Sequence, residues 1–262
     1  MDKQTAIAKL AESDEDKILL ARVYDRMTAA EQRCIPAASC FLTAREQVLV
    51  QRLLPHLSLH FFGGCDGAER AVCCYVPEYL EPADWFHSND GPICAVRATF
   101  YEKDEVTHRD MLGALMGSGI KRETVGDLYV QPGRCDFLVT HEILPYVMQN
   151  LTSAGRTKLH LSELALDALE PPVQAVREIR DTVSTLRLDA VVSSGFGLSR
   201  GKASACIESG KASLNALPCT KPDRTVSEGD VISVRGLGKL ELAQVLGTTK
   251  KGRTGILIRR YV

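Results

Sequence analysis

The stretch LRLDAVVSSGFGLSRGKASACIESGKASLNALPCTKPDRTVSEGDVISVR, residues 186–235, decides the C-terminal fold of this chain of 262 residues. Leu186–Ser193 predicts a short helix that glycines end, and Ser199 caps a second helix, so the two form a helix-turn-helix pair. Strands are predicted at Ala212–Leu214 and Val231–Val234, the second of them directly after a glycine-containing turn. The stretch therefore predicts a small module of two helices and a sheet.

Positive charges collect in this module. Arg200 and Lys202 fall in the first turn of the second helix, where cations oppose the helix dipole at a cost of about 0.3–1 kcal/mol each. The free N–H groups of a helix start attract phosphate, and an adjacent arginine adds bidentate contacts. A solvated charged face would explain an isolated pair of cations. Four more cations in the same module favour recognition of an anion: Arg187, Lys211, Arg224 and Lys239.

The charges of the whole chain divide at about residue 180. Residues 181–262 hold 13 Lys and Arg against 7 Asp and Glu, a net of +6, and residues 1–180 hold 19 against 26, a net of −7. The formal total of −1 conceals this division, and the basic third favours a nucleic-acid partner. With 45% hydrophobic and 25% charged residues, the composition is that of a folded protein and excludes disorder or a fibre.

The N-terminal segment, residues 1–88, is predicted to be a small α/β segment. Ser13 and Thr43 each open a helix with an acidic residue three positions later, as in a capping box. Two strands follow at Leu57–Phe62 and Ala71–Val76, joined by a glycine-rich turn.

A middle domain is predicted over residues 89–163, in the order strand, helix, strand, strand, helix, strand. The elements are placed at Ile93–Tyr101, Thr107–Gly117, Asp127–Gln131, Cys135–Val139, Thr140–Leu151 (with Gly155 ending the helix) and Lys158–Leu161. This is the ferredoxin-like order that many RNA-recognition modules share, although the third strand lacks the basic-glycine-aromatic pattern that stacks bases.

A connector containing Pro171 and Pro172 is predicted over 164–181, with the C-terminal domain and its hairpin over 182–262. The fold class is therefore α+β, with an N-terminal segment, a ferredoxin-like middle domain and a basic C-terminal module.

The compartment is predicted to be the cytosol. The start, MDKQTAIAKLAESDED, is charged throughout, and no later stretch approaches the ~18 apolar residues of a membrane span. Nine cysteines at irregular spacing favour reduced thiols over a disulfide framework or a zinc site. His56 and His60 stand four apart, yet their segment alternates like a strand, so we expect neither a metal nor a cofactor.

Several spaced sequence elements follow one another in a characteristic order over about 50 positions. The series comprises Arg187-Leu188-Asp189, Ser199-Arg200, Ala203, Ile207, Gly210-Lys211, Leu214-Asn215 and Gly229-Asp230-Val231-Ile232. The series resembles the RNA-binding module named after small-subunit ribosomal protein S-four, also called the αL motif. One departure is Ala216, where that family usually has glycine, and alanine is strained there if the turn is left-handed.

A second resemblance covers essentially the whole chain. The segments that carry it are Phe61–Gly64, Gly67–Arg70, His108–Leu115, Gly119–Arg122 and Gly126–Asp127. They are similar to signatures of the bacterial YlmH family. This resemblance implies a non-enzymatic RNA-binding protein associated with the large ribosomal subunit, which acts on ribosomes carrying peptidyl-tRNA in the rescue of stalled translation and supports alanine tailing of the nascent chain.

The first hypothesis is therefore a binding protein for structured, ribosomal RNA. Phosphate contacts are predicted from Arg187, Arg200, Lys202 and Lys211, with Ser199 and Asn215 as polar helpers. A second candidate contact is the tip of the last hairpin, with Lys250, Lys251 and Arg253. A compatible hypothesis is that the acidic N-terminal region docks a protein partner.

The alternative is an enzyme that modifies RNA, such as a pseudouridine synthase or a methyltransferase, with the C-terminal module delivering the substrate. Gly247–Thr254 nearly matches the sequence pattern of a phosphate-binding P-loop. However, Arg253 stands where the pattern requires lysine, and a strand instead of a helix is predicted after the segment. The tripeptide Arg187-Leu188-Asp189 resembles the segment that holds the catalytic aspartate of pseudouridine synthases. Asp189 is nevertheless predicted to orient a neighbouring arginine or the helix start. His108 and Asp110 stand where a helix begins, which gives Asp110 a structural role.

Overall fold

A computed structural model describes residues 2–249 and 252–262 and divides them between two compact units, Met1–Pro172 and Val173–Val262. The connector predicted over 164–181 is therefore shorter than expected. Val176–Val183 forms a strand of the second unit, because it pairs along its whole length with the last strand of the chain. The predicted N-terminal segment and middle domain lie together in the first unit.

The N-terminal part of the first unit is a three-stranded antiparallel sheet flanked by helices. Its elements are α1 Lys3–Leu10, α2 Asp14–Arg33, β1 Ala37–Leu42, α3 Ala44–Leu53, β2 Leu59–Phe62, β3 Ala71–Tyr75 and α4 Pro82–Phe86. The strand order is β1-β3-β2. Both predicted helix starts are confirmed, because the hydroxyls of Ser13 and Thr43 accept the N–H groups of Asp16 and Glu46.

The middle part of the first unit has the predicted ferredoxin-like topology. Its elements are β4 Ile93–Thr99, α5 His108–Gly117, β5 Val125–Gln131, β6 Arg134–Thr140, α6 Leu144–Asn150, β7 Ser153–Ala154, β8 Thr157–Lys158 and β9 His160–Leu164. The sheet order is β5-β6-β4-β9 and every neighbouring pair is antiparallel.

Two details at the end of this part differ from prediction. Thr140 makes no side-chain cap, and α6 begins at Leu144 after a 3₁₀ turn, next to Pro145, which suits a first helical turn. Gly155, with φ of +59°, turns the small hairpin of β7 and β8 instead of ending the helix. The hairpin uses Lys158, the first residue given to the last strand, so β9 begins later, at His160.

The middle sheet is covered on both faces. Helices α5 and α6 pack on one face, through a core that contains Val96, Met111, Leu115, Phe137 and Val147. The N-terminal sheet packs on the other face, through a core that contains Phe41, Val72, Cys74, Ala95 and Leu138. Since the two sheets share this second core, the N-terminal segment and the middle domain fold as one body.

The second unit is one six-stranded sheet that carries a helix pair. Its elements are β10 Val176–Val183, α7 Leu188–Phe196, α8 Arg200–Glu208, β11 Ala212–Leu214, β12 Leu217–Pro218, β13 Val231–Val234, β14 Gly238–Thr248 and β15 Thr254–Tyr261. The strand order is β10-β15-β14-β13-β11-β12. Leu188, Val191, Ile207, Ile232 and Ile258 belong to its fully buried core.

Other features of the described residues bear on the alternatives. No described helix has both the length and the apolar character that a bilayer crossing requires. All nine cysteines are free thiols. Within residues 2–249 and 252–262, no three His, Cys, Asp or Glu side chains are grouped as metal ligands would be.

Candidate RNA-binding surface

The starts of helices α7 and α8 bring four of the predicted RNA-binding residues together: Arg187, Ser199, Arg200 and Lys202. Gly197, with φ of +66°, ends α7 in the left-handed region, which glycine adopts without strain. Ser199 then caps α8, and its hydroxyl accepts the backbone N–H of Lys202 at 3.4 Å, as predicted. Ala203 and Ile207 fix the helix on the core, so its basic first turn faces solvent.

A buried carboxylate joins the two arginines. Asp189 is only 3% exposed and lies in the first turn of α7. Arg187 donates from Nε to Oδ1 at 3.2 Å and from Nη2 to Oδ2 at 3.1 Å. Arg200 donates from Nε to Oδ2 and from Nη2 to Oδ1, both at 3.3 Å. Asp189 therefore orients the arginines, as predicted, and we call these three residues the arginine clamp.

The clamp leaves positive charge exposed. Burial raises the pKa of Asp189, but the hydrogen bonds and charges of Arg187 and Arg200 together lower it by more than burial raises it. The pKa of Asp189 is therefore below its usual value, and the group is ionised at neutral pH. The side chains of Arg187 and Arg200 remain 40% and 50% exposed. Two cations around one carboxylate leave a net charge of +1, held in a fixed geometry and open to an anion.

A polar loop runs beside the clamp and adds two cations: Lys221, which the sequence did not single out, and Arg224, which stood out only as one of the charges of the module. The N–H of Leu188 donates to the carbonyl of Arg224 at 2.8 Å, and the N–H of Asp189 donates to that of Pro222 at 3.0 Å. These bonds place the exposed residues Lys221 and Arg224 next to the start of α7. The backbone pairing spans more than 30 residues, and no local pattern signals it.

Lys202 and Lys211 are exposed at opposite ends of α8. Within the described part of the chain, neither side chain has an ion-pair or hydrogen-bond partner. The helix has nine residues, so its ends are separated by about 13 Å. Both side chains are thus available to an external ligand.

Asn215 has a clear internal task. Its Nδ2 donates to Asp230 Oδ1 at 2.7 Å, and its Oδ1 accepts the N–H of Val231 at 2.9 Å. These bonds tie the β11–β12 turn to the start of β13. The turn residues Asn215 and Ala216 have φ of +49° and +66°, so the alanine does lie in the left-handed region where glycine would be unstrained.

Arg253, at the last hairpin, is also engaged. Its Nε donates to Thr182 Oγ1 at 3.0 Å, and its Nη2 donates to the Thr182 carbonyl. Lys250 and Lys251 lie outside the described residues. Ile256–Ile258 form part of β15, so the predicted strand after the near-match to a phosphate-binding loop is confirmed and the helix that such a loop requires is absent there.

Asp110, one of the residues considered for catalysis, has a structural explanation. Asp110 Oδ2 accepts the backbone N–H and the hydroxyl of Thr107, at 2.9 and 2.6 Å, and these bonds lower the pKa of Asp110. Asp110 therefore caps α5.

The structure also brings a thiol close to an imidazole, since Cys94 Sγ lies 3.5 Å from His141 Nδ1. However, burial and the nearby charge of Glu163 raise the pKa of Cys94, the opposite of what a nucleophilic thiol requires.

The middle sheet offers no base-stacking platform. Leu138 and Ala95, on the face that RNA-recognition modules leave open, are buried under the N-terminal sheet. Tyr129, on the same face, is half-buried, and its hydroxyl contacts Cys65 Sγ at 3.1 Å. Any contact of the first unit with nucleic acid must therefore use another surface.

Two family models match the chain. The model described as "Putative RNA-binding domain in YlmH" matches residues 98–168, which include most of the middle part. The model described as "S4 domain", the S-four module, matches residues 186–232, which include α7, α8 and the arginine clamp.

Two known proteins are similar over long stretches. The "Ribosome-associated protein quality control protein P2" of Bacillus subtilis (strain 168) is 34% identical over 223 residues, 84% of this chain and 85% of that protein. The solved structure "Cell division protein ylmH from Streptococcus pneumoniae" is 22% identical, with a TM-score of 0.47 over 59% of this chain and 93% of that one. By its identity to the Bacillus protein and its two matched domains, the chain belongs to the YlmH family.

Proposed function

We propose that this chain is a non-enzymatic factor that binds structured RNA of the large ribosomal subunit through its S-four domain and acts in the rescue of stalled ribosomes. The contact surface consists of the arginine clamp, the first turn of α8 and Lys211. Peptidyl-tRNA on the same ribosome is the proposed neighbouring ligand. The name of the Bacillus relative, a ribosome-associated quality control protein, supports this assignment.

The observation that carries the proposal is the shared carboxylate of the clamp. An arginine that only makes a protein surface polar needs no fixed rotamer, and holding its side chain in one rotamer costs conformational entropy. Here two guanidiniums are held by one buried carboxylate beside the N-terminus of α8. Planar guanidiniums and helix N–H groups both favour phosphate, so the two features act on the same ligand.

The direct test changes cations of the surface without exposing Asp189. Replacing Arg187 or Arg200 by glutamate would set a second carboxylate against a buried one, so we choose Lys202→Glu and the pair Arg187→Lys with Arg200→Lys. The lysines keep a positive charge near Asp189 but lose the bidentate fork. Arg177→Glu, on the exposed edge strand β10, is a matched control for the change of charge.

The readout is co-sedimentation with purified large subunits over a range of salt concentrations. Each lost phosphate contact reduces the slope of log affinity against log salt by about 0.7–0.9. We expect Lys202→Glu to weaken binding about tenfold and to reduce the slope by about one contact, and the double lysine variant to weaken it further. Arg177→Glu should bind like the unchanged protein. Binding that is equal for all four proteins would overturn the assignment of this surface.

A further inference from the structure

A second cluster of cations lines a cleft in the first unit. The cleft has a volume of about 490 Å³ and lies between α2, the start of α3 and the turn before β5. Four cations line it: Arg22, Arg70, Lys121 and Arg122. Glu46 and Glu123 are the two carboxylates of the lining, so its net charge is +2. The unit around it, residues 1–172, holds 17 Lys and Arg against 25 Asp and Glu, a net of −8.

The two half-buried arginines of the cleft have only neutral partners. Arg70 donates from Nε to the Val125 carbonyl at 3.1 Å and from Nη2 to the Phe41 carbonyl at 3.0 Å. Arg122 donates from Nη1 to the Gly126 carbonyl at 3.2 Å and also to that of Val125. Within the described chain, no carboxylate oxygen lies within the 4 Å of an ion pair to either guanidinium.

The acidic residues nearby are already engaged. Glu46 Oε2 accepts the N–H and hydroxyl of Thr43 in the cap of α3, and Glu123 pairs with Arg22 at 3.0 Å. Asp127 accepts backbone N–H groups, that of Glu69 at 2.7 Å among them. The charges of Glu46 and Asp127 offset part of the cost of placing Arg70 and Arg122 close together, without forming an ion pair with either.

The arrangement is costly unless an anion compensates it. Burial lowers the pKa of Arg70, and burial followed by the charge of Arg70 lowers the pKa of Arg122. Both effects show that this environment disfavours the charged guanidinium, although arginine remains charged in proteins. A doubly liganded anion between the two would remove the repulsion and complete their hydrogen bonding.

We propose that this cleft binds a phosphate group of an RNA backbone, as a second RNA contact separate from the S-four domain. The site rests on the proposed function, because it assumes that RNA is the ligand of the chain. Guanidiniums fit phosphate in a bidentate way, and the exposed Lys121 at the entrance adds a flexible third cation. Arg70 and the neighbouring N-terminal elements contribute to the site, although they lie outside the matched RNA-binding model of residues 98–168.

The first arm of the test compares charge reversals in the full chain. Lys121→Glu changes an exposed residue whose side chain makes no hydrogen bond in the described structure, so the fold should be retained. Lys103→Glu is the matched control, an exposed lysine of the same unit that does not line the cleft. We expect Lys121→Glu to weaken binding to purified large subunits three- to tenfold and to reduce the salt slope by about 0.7–0.9, with no change for the control.

The second arm needs no variant. Phenylglyoxal modifies accessible arginines, and mass spectrometry reads the modification of Arg70 and Arg122 in the full chain alone, with large subunits, with ATP and with inorganic phosphate. Protection by large subunits but not by millimolar ATP or phosphate supports an RNA backbone site. Protection by ATP or phosphate alone would overturn the RNA assignment in favour of a small phosphate ligand, and no protection in any arm would overturn the site.

Failure of this site and failure of the proposed function give different results. If Lys202→Glu weakens binding to large subunits and Lys121→Glu does not, the cleft proposal is wrong and the S-four assignment stands. If neither variant weakens binding, both proposals are wrong. If only Lys121→Glu weakens it, the cleft binds RNA and the S-four surface is the wrong site.

Discussion

Replacing Asp189 by asparagine tests whether the arginine clamp prepares the surface for RNA. The substitution keeps the size of the side chain and removes its charge. Four N–H···O contacts of 3.1–3.3 Å from Arg187 and Arg200 lose their ionic partner. Hydrogen bonds to charged groups contribute about 1.5–3 kcal/mol each. These are long and both arginines are about half exposed to water, so we expect a loss of about 1–3 kcal/mol in the free energy of unfolding.

The effect on RNA affinity combines two opposing changes. Without the carboxylate, the arginines must be ordered when RNA binds, at about 0.5–1.5 kcal/mol for each side chain. The total of about 1–3 kcal/mol corresponds to roughly a 5- to 150-fold loss. The lost negative charge also increases the attraction for any phosphate, but salt at about 0.15 M screens charges over about 8 Å. We therefore expect weaker binding at physiological salt and a smaller loss, or a gain, at low salt.

The assay is co-sedimentation of the Asp189→Asn protein with large subunits at two salt concentrations, with urea unfolding to confirm that the domain is folded. Asp223→Asn is the matched control, since Asp223 is exposed in the adjacent loop and has no ion pair with a described residue. Unchanged or tighter binding of folded Asp189→Asn protein at physiological salt would refute the idea that the carboxylate prepares the arginines for RNA.

Three further predictions concern stability. Ala216→Gly should raise the unfolding free energy by about 1 kcal/mol in urea titrations, because residue 216 has φ of +66°; no gain would contradict the strained turn. Hydrogen bonds from Arg45, both at 2.8 Å, are the chief cause that lowers the pKa of Asp16 to about 2, so Asp16 should contribute about 2–3 kcal/mol to the free energy of unfolding above pH 4. The folded pKa lies below the unfolded one, so this contribution is lost as the pH falls from 4 towards 2, and Asp16→Asn should flatten that part of the pH profile of stability. Gly126→Ala should cost about 1–3 kcal/mol, because its new Cβ would lie 2.7 Å from the ring of Phe41. Gly113→Ala, inside α5 with open space around it, should instead gain about 0.5–1 kcal/mol, because alanine favours the helix more than glycine does. Equal effects of the two substitutions would argue against the close contact at Gly126.

Local chemistry allowed much of the S-four domain to be predicted from sequence. Ser199 caps α8, and strands β11 and β13 have the predicted bounds, because side-chain caps, glycine turns and short alternating runs act over a few residues. The strained Ala216 could likewise be anticipated from a single residue. The ferredoxin-like order followed from the succession of such local signals in the middle of the chain.

The features that the sequence did not indicate depend on distant partners. β1 was not predicted, since its small residues form a strand only by pairing with β3, about 30 positions later. β10 lay inside the predicted connector because its partner, β15, is the last strand of the chain. The same reason applies to the sites. Arg70 and Arg122 are 52 positions apart, and only the folded chain brings both guanidiniums to the Val125 carbonyl.

The short chain segment between the two units determines how much one RNA contact would increase the binding at the other. The carbonyl of Glu170 accepts a hydrogen bond from Gln131 Nε2 in the first unit, and the carbonyl of Ala175 accepts one from the N–H of Val262 in the second unit. The five steps between them reach at most about 18 Å, and two of the residues are prolines. A tether of this length holds the second contact at an effective concentration of the order of millimolar once the first has formed. Contacts too weak to be measured alone would then suffice in the full chain, and a longer, flexible insertion after Pro172 should weaken binding without changing any RNA-binding residue.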